Sequence, residues 1–474
     1  MANKVKIIGG TQRGDEGKGK ETSWSLSNEN HKLVGRFAGG SNAGHTVRIG
    51  DIDFKSHQLP SGVFNDVDLG IFPGCIFNIG KTLTEIDDAQ SKGAKLDGRL
   101  HISDQVTIVQ PHHILLDRLF GRTVASTGNG ISPAVADRAM RMYGDHLAAV
   151  TLGNLMDSSE YIDVMHENFQ RTWTTINQVA TMYRVDVNNL KLNNKEKEEF
   201  QKLMKKEYFT RVFSELLERM SKYVERDPLF LRRKAEEGNV LLEGAQAFLL
   251  DPLLGTYPYN TATHTLPAYS LLFGIPLDSE FEIVGVAKAL FSAVGNGPFP
   301  SEFGGPRSEE YCMEDGGNAH KKESEKTAYY HNLDELLRSD DPLQVGIALR
   351  MLSEEYGSTT ERPRRIGALD LVVLRHAAKI MDLDYLVLNK CDDLALFSRT
   401  RSEKIPVVVG YELDGERIDY VPTTVDRYRR VVPVYEHLDS FTEDLSEMRD
   451  YNKMPKALKT FVSYVEDHVG IPLR

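Results

Sequence analysis

The chain has 474 residues with 57 basic and 69 acidic side chains, so its formal net charge is −12. Hydrophobic residues make up 41% and charged residues 27% of the sequence, which is typical of a folded protein and excludes a disordered chain or a rod. The acidic balance argues against a protein that wraps nucleic acid, because duplex binding requires a basic face. The three cysteines, Cys75, Cys312 and Cys391, lack the spacing of a zinc site or a disulfide framework. We therefore expect a cytoplasmic protein without a signal peptide or a membrane span.

The chain opens with a predicted buried strand at residues 5–9, followed by a glycine-rich loop and a helical stretch through Leu26. A strand, a glycine loop and a helix in this order form the opening of a phosphate-binding βα unit. A second short strand at 33–37 leads into another loop of small residues, 38–46. Because loops that follow parallel strands meet at one edge of an open α/β sheet, we expect these two loops to form one ligand site.

Further apolar runs bounded by turns predict strands at 69–72, 107–109, 240–242, 281–286, 370–374 and 385–389. Several lie beside helical segments, which favours an α/β fold with a large, mostly parallel sheet covered by helices. The clearest helix is predicted between Lys195 and Arg226, where apolar residues recur every three or four positions. No linker separates two cores, so we expect a single domain over 1–474. Within it, the charged stretch 308–355 is expected to be a surface insertion.

The first glycine loop carries the most specific pattern. Residues 14–20 have the G-x-x-x-x-G-K spacing of a P-loop, but Glu21 stands where a P-loop has the Ser or Thr that binds magnesium. Its glycines allow backbone N–H groups to converge on a phosphate, and its lysines supply charge. Asp15 would face that anion, which points to a metal or proton-transfer role. A glycine-rich turn with exposed charges is the alternative. His45, in the second loop, is either a structural histidine or an acid opposite Asp15.

Residues 10–20 and 39–46 resemble the two signature loops of the adenylosuccinate synthetase family. Similar segments follow in the family's order at 59–62, 126–134, 243–246, 255–259, 294–300, 359–365 and 389–392. These collinear matches identify the chain as a divergent member of the family. The resemblance implies a P-loop-GTPase-like sheet with α and small β appendages. It also implies a ligase of AMP biosynthesis that joins L-aspartate to IMP with GTP. The reaction passes through 6-phosphoryl-IMP and gives adenylosuccinate, GDP and phosphate.

The resemblance assigns the chemistry to four residues. Asp15 matches the base that removes the N1 proton of IMP, and with the backbone carbonyl of Gly44 it matches a ligand of Mg²⁺. His45 matches the acid that stabilises the transferring phosphoryl group and the departing oxygen. Lys18 would neutralise phosphate charge, and Gln246 matches a contact to the base of IMP.

Substrate binding is assigned by the same resemblance. The residues matching IMP contacts are Asn42, Thr127, Arg141, Gln246, Thr261 and Val294. Among these, Arg141 matches an arginine that reaches IMP across a homodimer interface. The aspartate-binding loop is matched by Thr360, Arg362 and Arg364. The GTP site is matched by Gly14, Gly17, Lys18, Gly19, Lys20, Arg364, Lys390 and Asp392.

The sequence departs from the family pattern at four places. Arg13 replaces a tryptophan, Asn129 replaces an arginine that is linked to aspartate binding, and Glu361 replaces a glycine between Thr360 and Arg362. The changes at 129 and 361 remove a positive charge and add a negative one near the amino donor. The sequence also stops at Arg474, before the segment that closes over the guanine in family members, which leaves ATP open as an alternative to GTP.

Three functions remain open from the sequence. The first is adenylosuccinate synthetase activity itself. The second is a paralogue that activates a purine 6-oxygen but uses another amino donor or nucleotide, although Asp15 argues against the relatives that act on dGMP and carry a small residue there. The third is a nucleotide-binding protein without ligase activity, which the combined presence of Asp15, Lys18, His45 and Gln246 disfavours.

Overall fold

The structure, a computed structural model, describes residues 3–49, 52–121, 123–293, 295–313, 322–357 and 361–474. The chain divides into two compact units, each assembled from separate segments. Unit 1 comprises Met1–Ile8, Lys18–Ala245 and Thr261–Glu282, and unit 2 comprises Gly9–Gly17, Gln246–Asn260 and Ile283–Arg474. Because the segments of the two units alternate along the sequence, the expectation of a single domain stays a prediction. Among the described residues, no helix is both long and apolar enough to cross a membrane.

The structure contains an eight-stranded sheet, which confirms the predicted α/β fold. The described strands are β1 Lys4–Gly10, β2 Leu33–Arg36, β3 Gly39–Gly40, β4 His45–Ile49, β5 Ile52–Ser56, β6 Asp68–Ile71, β7 Cys75–Phe77, β8 Leu100–Ser103, β9 Thr107–Ile108, β10 Met142–Tyr143, β11 His146–Leu147, β12 Val224–Glu225, β13 Val240–Glu243, β14 Glu280–Lys288, β15 Phe291–Ala293, β16 Arg365–Gly367, β17 Leu369–Asp370, β18 Tyr385–Asn389, β19 Lys404–Leu413, β20 Glu416–Ile418 and β21 Val432–Asp439. The large sheet has the order β12-β8-β6-β2-β13-β1-β14-β18. Its described registers are parallel, as expected for strands that alternate with helices.

Helices occur between most of these strands. The described α-helices are α1 Lys18–Asn28, α2 Ile79–Ser91, α3 Pro111–Phe120, α4 Ile131–Met140, α5 Leu152–Asp157, α6 Glu160–Met182, α7 Asn194–Leu203, α8 Lys206–Met220, α9 Phe230–Glu237, α10 Pro306–Cys312, α11 Lys322–Tyr329, α12 Leu333–Leu337, α13 Pro342–Leu352, α14 Leu371–Met381, α15 Val425–Arg429 and α16 Lys456–Val469. Short 3₁₀ turns are formed by Val187–Leu190, Ser221–Tyr223, Phe248–Leu250, Pro267–Phe273, Tyr330–Asn332, Asp392–Arg399 and Tyr451–Lys453.

The core of unit 1 forms where the predicted strands pair. Val5 and Ile7 of β1, Leu33 of β2, and Val240 and Leu242 of β13 are at most 1% exposed and belong to one hydrophobic cluster. Burial of such side chains is worth about 1.5–3 kcal/mol each, which is why continuous apolar runs specify the central strands. The predicted order of strand, glycine loop and helix at the start of the chain is confirmed by β1 and α1.

Two predicted elements are wrong in detail. The single helix expected between Lys195 and Arg226 is two helices, α7 and α8, that separate at Met204. The carbonyl of Met204 accepts hydrogen bonds from His166 Nε2 at 3.2 Å and Gln170 Nε2 at 3.1 Å, so tertiary contacts replace the helical bond. Of the strand expected at 370–374, only Asp370 lies in a strand, at the end of β17, and 371–374 begin α14. Asp370 caps this helix by accepting from the N–H groups of Val372 and Val373.

The described residues of the stretch 308–355, which are 308–313 and 322–355, contain helices α10 to α13 and belong to unit 2. Its last helix, α13, buries Ile347, Ala348 and Leu349, and it places the fully buried Arg350 against the equally buried Glu325. Part of the stretch is therefore core, although its composition predicts surface. That the stretch is an insertion within the family stays a prediction.

Candidate active site

The first glycine loop is shaped to hold an anion. Gly14, Asp15 and Gly17 all have left-handed backbone conformations, with φ of 91°, 59° and 95°. The buried Glu16 folds back so that its Oε1 accepts from the N–H of Gly14 at 2.7 Å and of Gln12 at 3.2 Å. The loop therefore already binds a carboxylate of its own chain through backbone N–H groups, which is the chemistry expected for a phosphate.

Asp15 is exposed and forms an ion pair within unit 2. Its Oδ2 lies 2.6 Å from Nη2 of Arg364, one of the arginines assigned to the aspartate and GTP sites. The other end of the same guanidinium, Nη1, donates to Oε2 of the buried Glu355 at 2.7 Å. Arg364 thus bridges the predicted base and a buried carboxylate through two different nitrogens of its planar guanidinium.

Glu355 is the centre of a wider charge cluster in unit 2. Its Oε2 also accepts from Lys288 Nζ at 3.0 Å and Ser292 Oγ at 2.7 Å, and its Oε1 lies 3.7 Å from Lys390 Nζ. Burial alone would raise the pKa of Glu355, but Lys288 and Arg364 hold it well below its ordinary value. The carboxylate is therefore ionised and orients residues of both the arginine loop and the predicted guanine pocket.

The second predicted catalytic residue, His45, lies in unit 1 at the start of β4. It is buried, and its Nδ1 is hydrogen-bonded to Oε1 of Glu243, at the end of β13. Glu243 also accepts from the Ser61 N–H at 2.9 Å and from Ser61 Oγ at 2.6 Å. Burial would raise the pKa of Glu243, yet His45 and then Arg36 and Ser61 lower it to about 2. A charged glutamate therefore fixes the imidazole and leaves Nε2 to act on a ligand.

Two residues assigned to IMP carry polar atoms without a partner. Oδ1 of Asn42 in unit 1 and Oε1 of Gln246 in unit 2 are buried, and neither has a hydrogen-bond partner among the described residues. Gln246 also has a left-handed backbone, with φ of 56°. Buried unpaired acceptors cost about 1–3 kcal/mol each, so both fit groups that a bound ligand completes.

The remaining assigned residues take varied positions. Lys18 is buried at the start of α1, whereas Lys20, Thr127 and Asp392 are exposed. Thr261 and Arg362 are half-buried, as are the glycines Gly14, Gly17 and Gly44, and Gly19 is buried. Arg141 follows α4 and is exposed, and both Arg141 and Lys390 have positive φ, 69° and 63°. Val294 and Thr360 lie outside the described residues.

Arg13, which replaces a tryptophan of the family pattern, is buried and forms hydrogen bonds within the protein. It is 3% exposed and donates to the carbonyls of Pro298 at 2.6 Å and Asn296 at 3.0 Å. Burial and then Arg365 lower its pKa to about 10. The guanidinium therefore joins the first loop to the segment 295–300 within unit 2.

One buried cluster has the composition of a metal site but not its chemistry. His112 and His113 both direct Nε2 at Oδ2 of Asp137, at 3.0 and 3.1 Å. Nδ1 of His113 accepts the Gln110 N–H at 3.0 Å, so its proton must be on Nε2, which cannot then bind a metal. For Mg²⁺, by contrast, an exposed carboxylate such as Asp15 and a backbone carbonyl such as that of Gly44 supply the oxygen ligands the ion prefers.

Glu21, at the P-loop position for a magnesium ligand, points elsewhere. Its carboxylate is buried 3.8 Å from Nζ of Lys6, and burial raises its pKa from 4.5 to about 7 despite that lysine. The carboxylate of Glu21 is therefore engaged with Lys6 of β1, and its effect on the stability of the fold depends on pH.

We expect Glu21→Gln to leave magnesium binding unchanged and to change stability with pH. Because the folded pKa is raised, the acid's contribution to stability is complete below pH 4.5 and is lost as pH rises through 7. The neutral variant escapes that loss, so its melting temperature relative to the parent should increase from pH 5 to pH 8. Thermal unfolding at both pH values and a magnesium titration test this. A weakened magnesium requirement would contradict it.

Sequence reasoning missed the supporting carboxylates. Glu243 stands inside a family-like segment, but a glutamate at the end of an apolar strand gives no sign of its partner 198 residues away. Glu355 lies four residues before the family-like segment 359–365, in a stretch whose charged composition suggests a surface position. Its place a few residues before a run of arginines is the one sequence signal that could have indicated it.

Comparison with known proteins identifies the family of this chain. A family model described as adenylosuccinate synthetase matches residues 7–474. Adenylosuccinate synthetase 2 of Cupriavidus pinatubonensis is 34% identical over 473 residues, covering 99% of this chain and 94% of that protein. Adenylosuccinate synthetase of Aquifex aeolicus is 32% identical over 476 residues, covering 98% and 93%. The structure of fully ligated adenylosuccinate synthetase from Plasmodium falciparum has a TM-score of 0.74 at 26% identity, covering 99% and 96%.

The parallel sheet and the glycine-rich loop after β1 are typical of nucleotide-binding proteins of the α/β class. With the match over residues 7–474, the chain belongs to the adenylosuccinate synthetase family. The resemblance seen in the signature loops is therefore confirmed, and with it the enzyme class.

Proposed function

We propose that this chain catalyses GTP-dependent ligation of L-aspartate to IMP through a 6-phosphoryl-IMP intermediate. The observation that carries the proposal is the family match over residues 7–474, which includes both signature loops with Asp15 and His45 present. The products would be adenylosuccinate, GDP and phosphate, as in AMP biosynthesis. The described residues contain no disulfide among Cys75, Cys312 and Cys391, which supports a reducing, cytoplasmic setting.

In the first step, the exposed carboxylate of Asp15 takes the N1 proton of IMP, which makes O6 a better nucleophile toward the γ-phosphoryl group. Lys18 and the loop that contains Gly14 and Gly17 hold the phosphates, once the N–H groups that now bind Glu16 are released. Bound Mg²⁺, held by Asp15 and the Gly44 carbonyl, would neutralise phosphate charge. Lys20, Gly19, Lys390 and Asp392 complete the proposed nucleotide site.

His45 then stabilises negative charge on the transferred phosphoryl group and on the departing oxygen. The charged Glu243 at its Nδ1 favours the orientation in which Nε2 faces the substrate, as a carboxylate does for other catalytic histidines. IMP would be positioned by Asn42, Thr127, Gln246, Thr261 and Val294. The unpaired acceptors of Asn42 and Gln246 support this part of the proposal.

A homodimer is part of the proposal because Arg141 is assigned to the partner's IMP. It lies on a part of unit 1 where Met140 and Met142 are 54% and 43% exposed, which suits a surface covered by a second copy. Light scattering on the purified protein tests the dimer.

The reaction itself is tested with a panel of substrates. The purified full chain is incubated with IMP, magnesium, GTP or ATP, and single amino acids, and product mass and phosphate release are followed. Turnover with aspartate and GTP supports the proposal. Turnover only with another amino acid or with ATP would support the paralogue, and nucleotide binding without turnover would support a non-catalytic protein.

We expect Glu361→Gly to improve both stability and the use of aspartate. Glu361 is exposed with φ of 55°, a conformation that costs a side chain about 1–2 kcal/mol, and its charge opposes a dicarboxylate. The KM for aspartate should fall about two- to fivefold, the range of one screened charge. Glu403→Gly is the matched control, because Glu403 is also exposed and has φ of 52°. An equal fall in KM for the control would show that the effect is general.

A further inference from the structure

A lysine in unit 1 contacts the asparagine that replaces the family arginine. Nζ of Lys81, on α2, donates to Oδ1 of Asn129. The two residues are 48 positions apart in sequence, so this contact is created by the fold. Position 129 thus has a positive charge beside it, although its own side chain is neutral.

Asn129 has no N–H donor left for an anionic substrate. Its Oδ1 is taken by Lys81, and its Nδ2 donates to Thr127 Oγ1 at 2.9 Å and to the Ser41 carbonyl at 3.3 Å. These contacts link it to residues of the second glycine loop and of the proposed IMP site. An anion that approaches Asn129 therefore contacts the ammonium group of Lys81 and not the amide of Asn129.

Lys81 is exposed and keeps hydrogen-bonding capacity. An ammonium group has three donors, and within the described chain only Asn129 accepts one of them. No described carboxylate pairs with Lys81. Glu85, one turn along α2, is instead buried and accepts the N–H groups of Gln58 and Leu59 at 3.0 and 3.1 Å. The charge of Lys81 is therefore available for a ligand.

The position of Lys81 does not favour helix stability. Asn78 caps α2 by accepting the Lys81 N–H, so Lys81 lies in the first turn. A cation there opposes the helix dipole, which disfavours it by a fraction of a kcal/mol. A role in binding accounts for a lysine at this place better than a structural role does.

We propose that Lys81 binds a carboxylate of the amino donor and supplies the positive charge that the family resemblance places at position 129. This inference rests on the proposed function, because that function makes a dicarboxylate the second substrate. It also answers the charge deficit that Asn129 and Glu361 create in the sequence: the missing cation comes from a different helix.

The test compares steady-state kinetics of the full-length parent with Lys81→Ala, Lys81→Arg and the double variant Lys81→Ala/Asn129→Arg. Loss of a charge-assisted contact should raise the KM for aspartate about tenfold or more in Lys81→Ala, with the KM for IMP within about twofold. Lys81→Arg should stay near the parent, and the double variant should recover most of the lost affinity. Lys92→Ala is the matched control, because Lys92 ends the same helix and pairs with Asp88 at 2.8 Å.

Thermal unfolding separates binding from folding, since Lys81→Ala should melt at or slightly above the temperature of the parent. An unchanged KM for aspartate would overturn the inference. So would a rise confined to the KM for IMP, which would assign the ammonium to a phosphate. If the parent uses another amino donor, the donor in the proposed function is wrong, and the same comparison made with that donor tests Lys81 separately.

Discussion

Asp15→Asn should lower kcat by about 10²–10⁴-fold, the usual contribution of a positioned general base, while the Kd for IMP changes by less than about threefold. The amide keeps the shape of the exposed side chain but cannot take the N1 proton. It also loses the ion pair with Arg364 at 2.6 Å. Positional isotope exchange in GTP, measured with IMP and without aspartate, reports formation of the 6-phosphoryl intermediate and should disappear in the variant.

The matched control for this substitution is Asp382→Asn. Asp382 is exposed and left-handed, with φ of 53° against 59° for Asp15, and it ends α14 outside the proposed site. It should keep the kcat of the parent. Normal isotope exchange in Asp15→Asn would remove the assigned role. A magnesium titration separates a weakened metal site, which excess magnesium restores, from loss of the base, which it does not.

Glu243→Gln should reduce kcat by about 10²-fold or more without a comparable change in the KM for GTP. The carboxylate holds Nδ1 of His45, and a neutral amide neither fixes that tautomer nor balances the imidazolium. Because the pair is buried, removing its charge should also lower the free energy of unfolding by about 3–5 kcal/mol. Steady-state kinetics and chemical denaturation measure the two effects.

Glu85→Gln serves as the control for Glu243→Gln. Glu85 is another buried glutamate of unit 1 that accepts backbone N–H groups, from Gln58 and Leu59, but touches no residue assigned to chemistry. It should lose stability and keep kcat. An equal loss of kcat in both variants would reduce the role of Glu243 to packing.

The low pKa of Glu243 adds a dependence on pH. A folded pKa of about 2 against an ordinary 4.5 means that the stabilisation is complete above pH 4.5 and is lost as pH falls through 2. The unfolding free energy of Glu243→Gln should therefore decline less steeply than that of the parent over this interval.

The elements that sequence predicts well are those specified by local pattern. The strand, glycine loop and helix at the start of the chain follow from apolar residues ending at Gly9 and from glycines that permit the left-handed turns at Gly14 and Gly17. The break at Met204 could not be predicted, because it depends on side chains of α6 that take over a backbone carbonyl. The helix start at Asp370 was hidden because buried helices and buried strands have the same apolar composition.

The candidate site shows the same division. Asp15 and His45 stand in motifs that a sequence displays, but the groups that hold them, Arg364 and Glu243, are separated from them by 349 and 198 residues. Lys81 is a sharper case, since nothing near position 129 indicates that a lysine would lie beside it. Motifs identify the reacting groups, whereas orientation and charge balance come from packing between distant segments.

The ion pair between Arg364 and Asp15 has a thermodynamic consequence. A ligand that draws the guanidinium to itself weakens the ion pair with Asp15, and so increases the attraction of that carboxylate for another cation. Coupling free energies are reciprocal, so a cation bound at Asp15 must in turn release Arg364 to bind its anionic ligand. Binding of an anion at Arg364 and binding of a cation at Asp15 are therefore cooperative, because each disrupts the same ion pair.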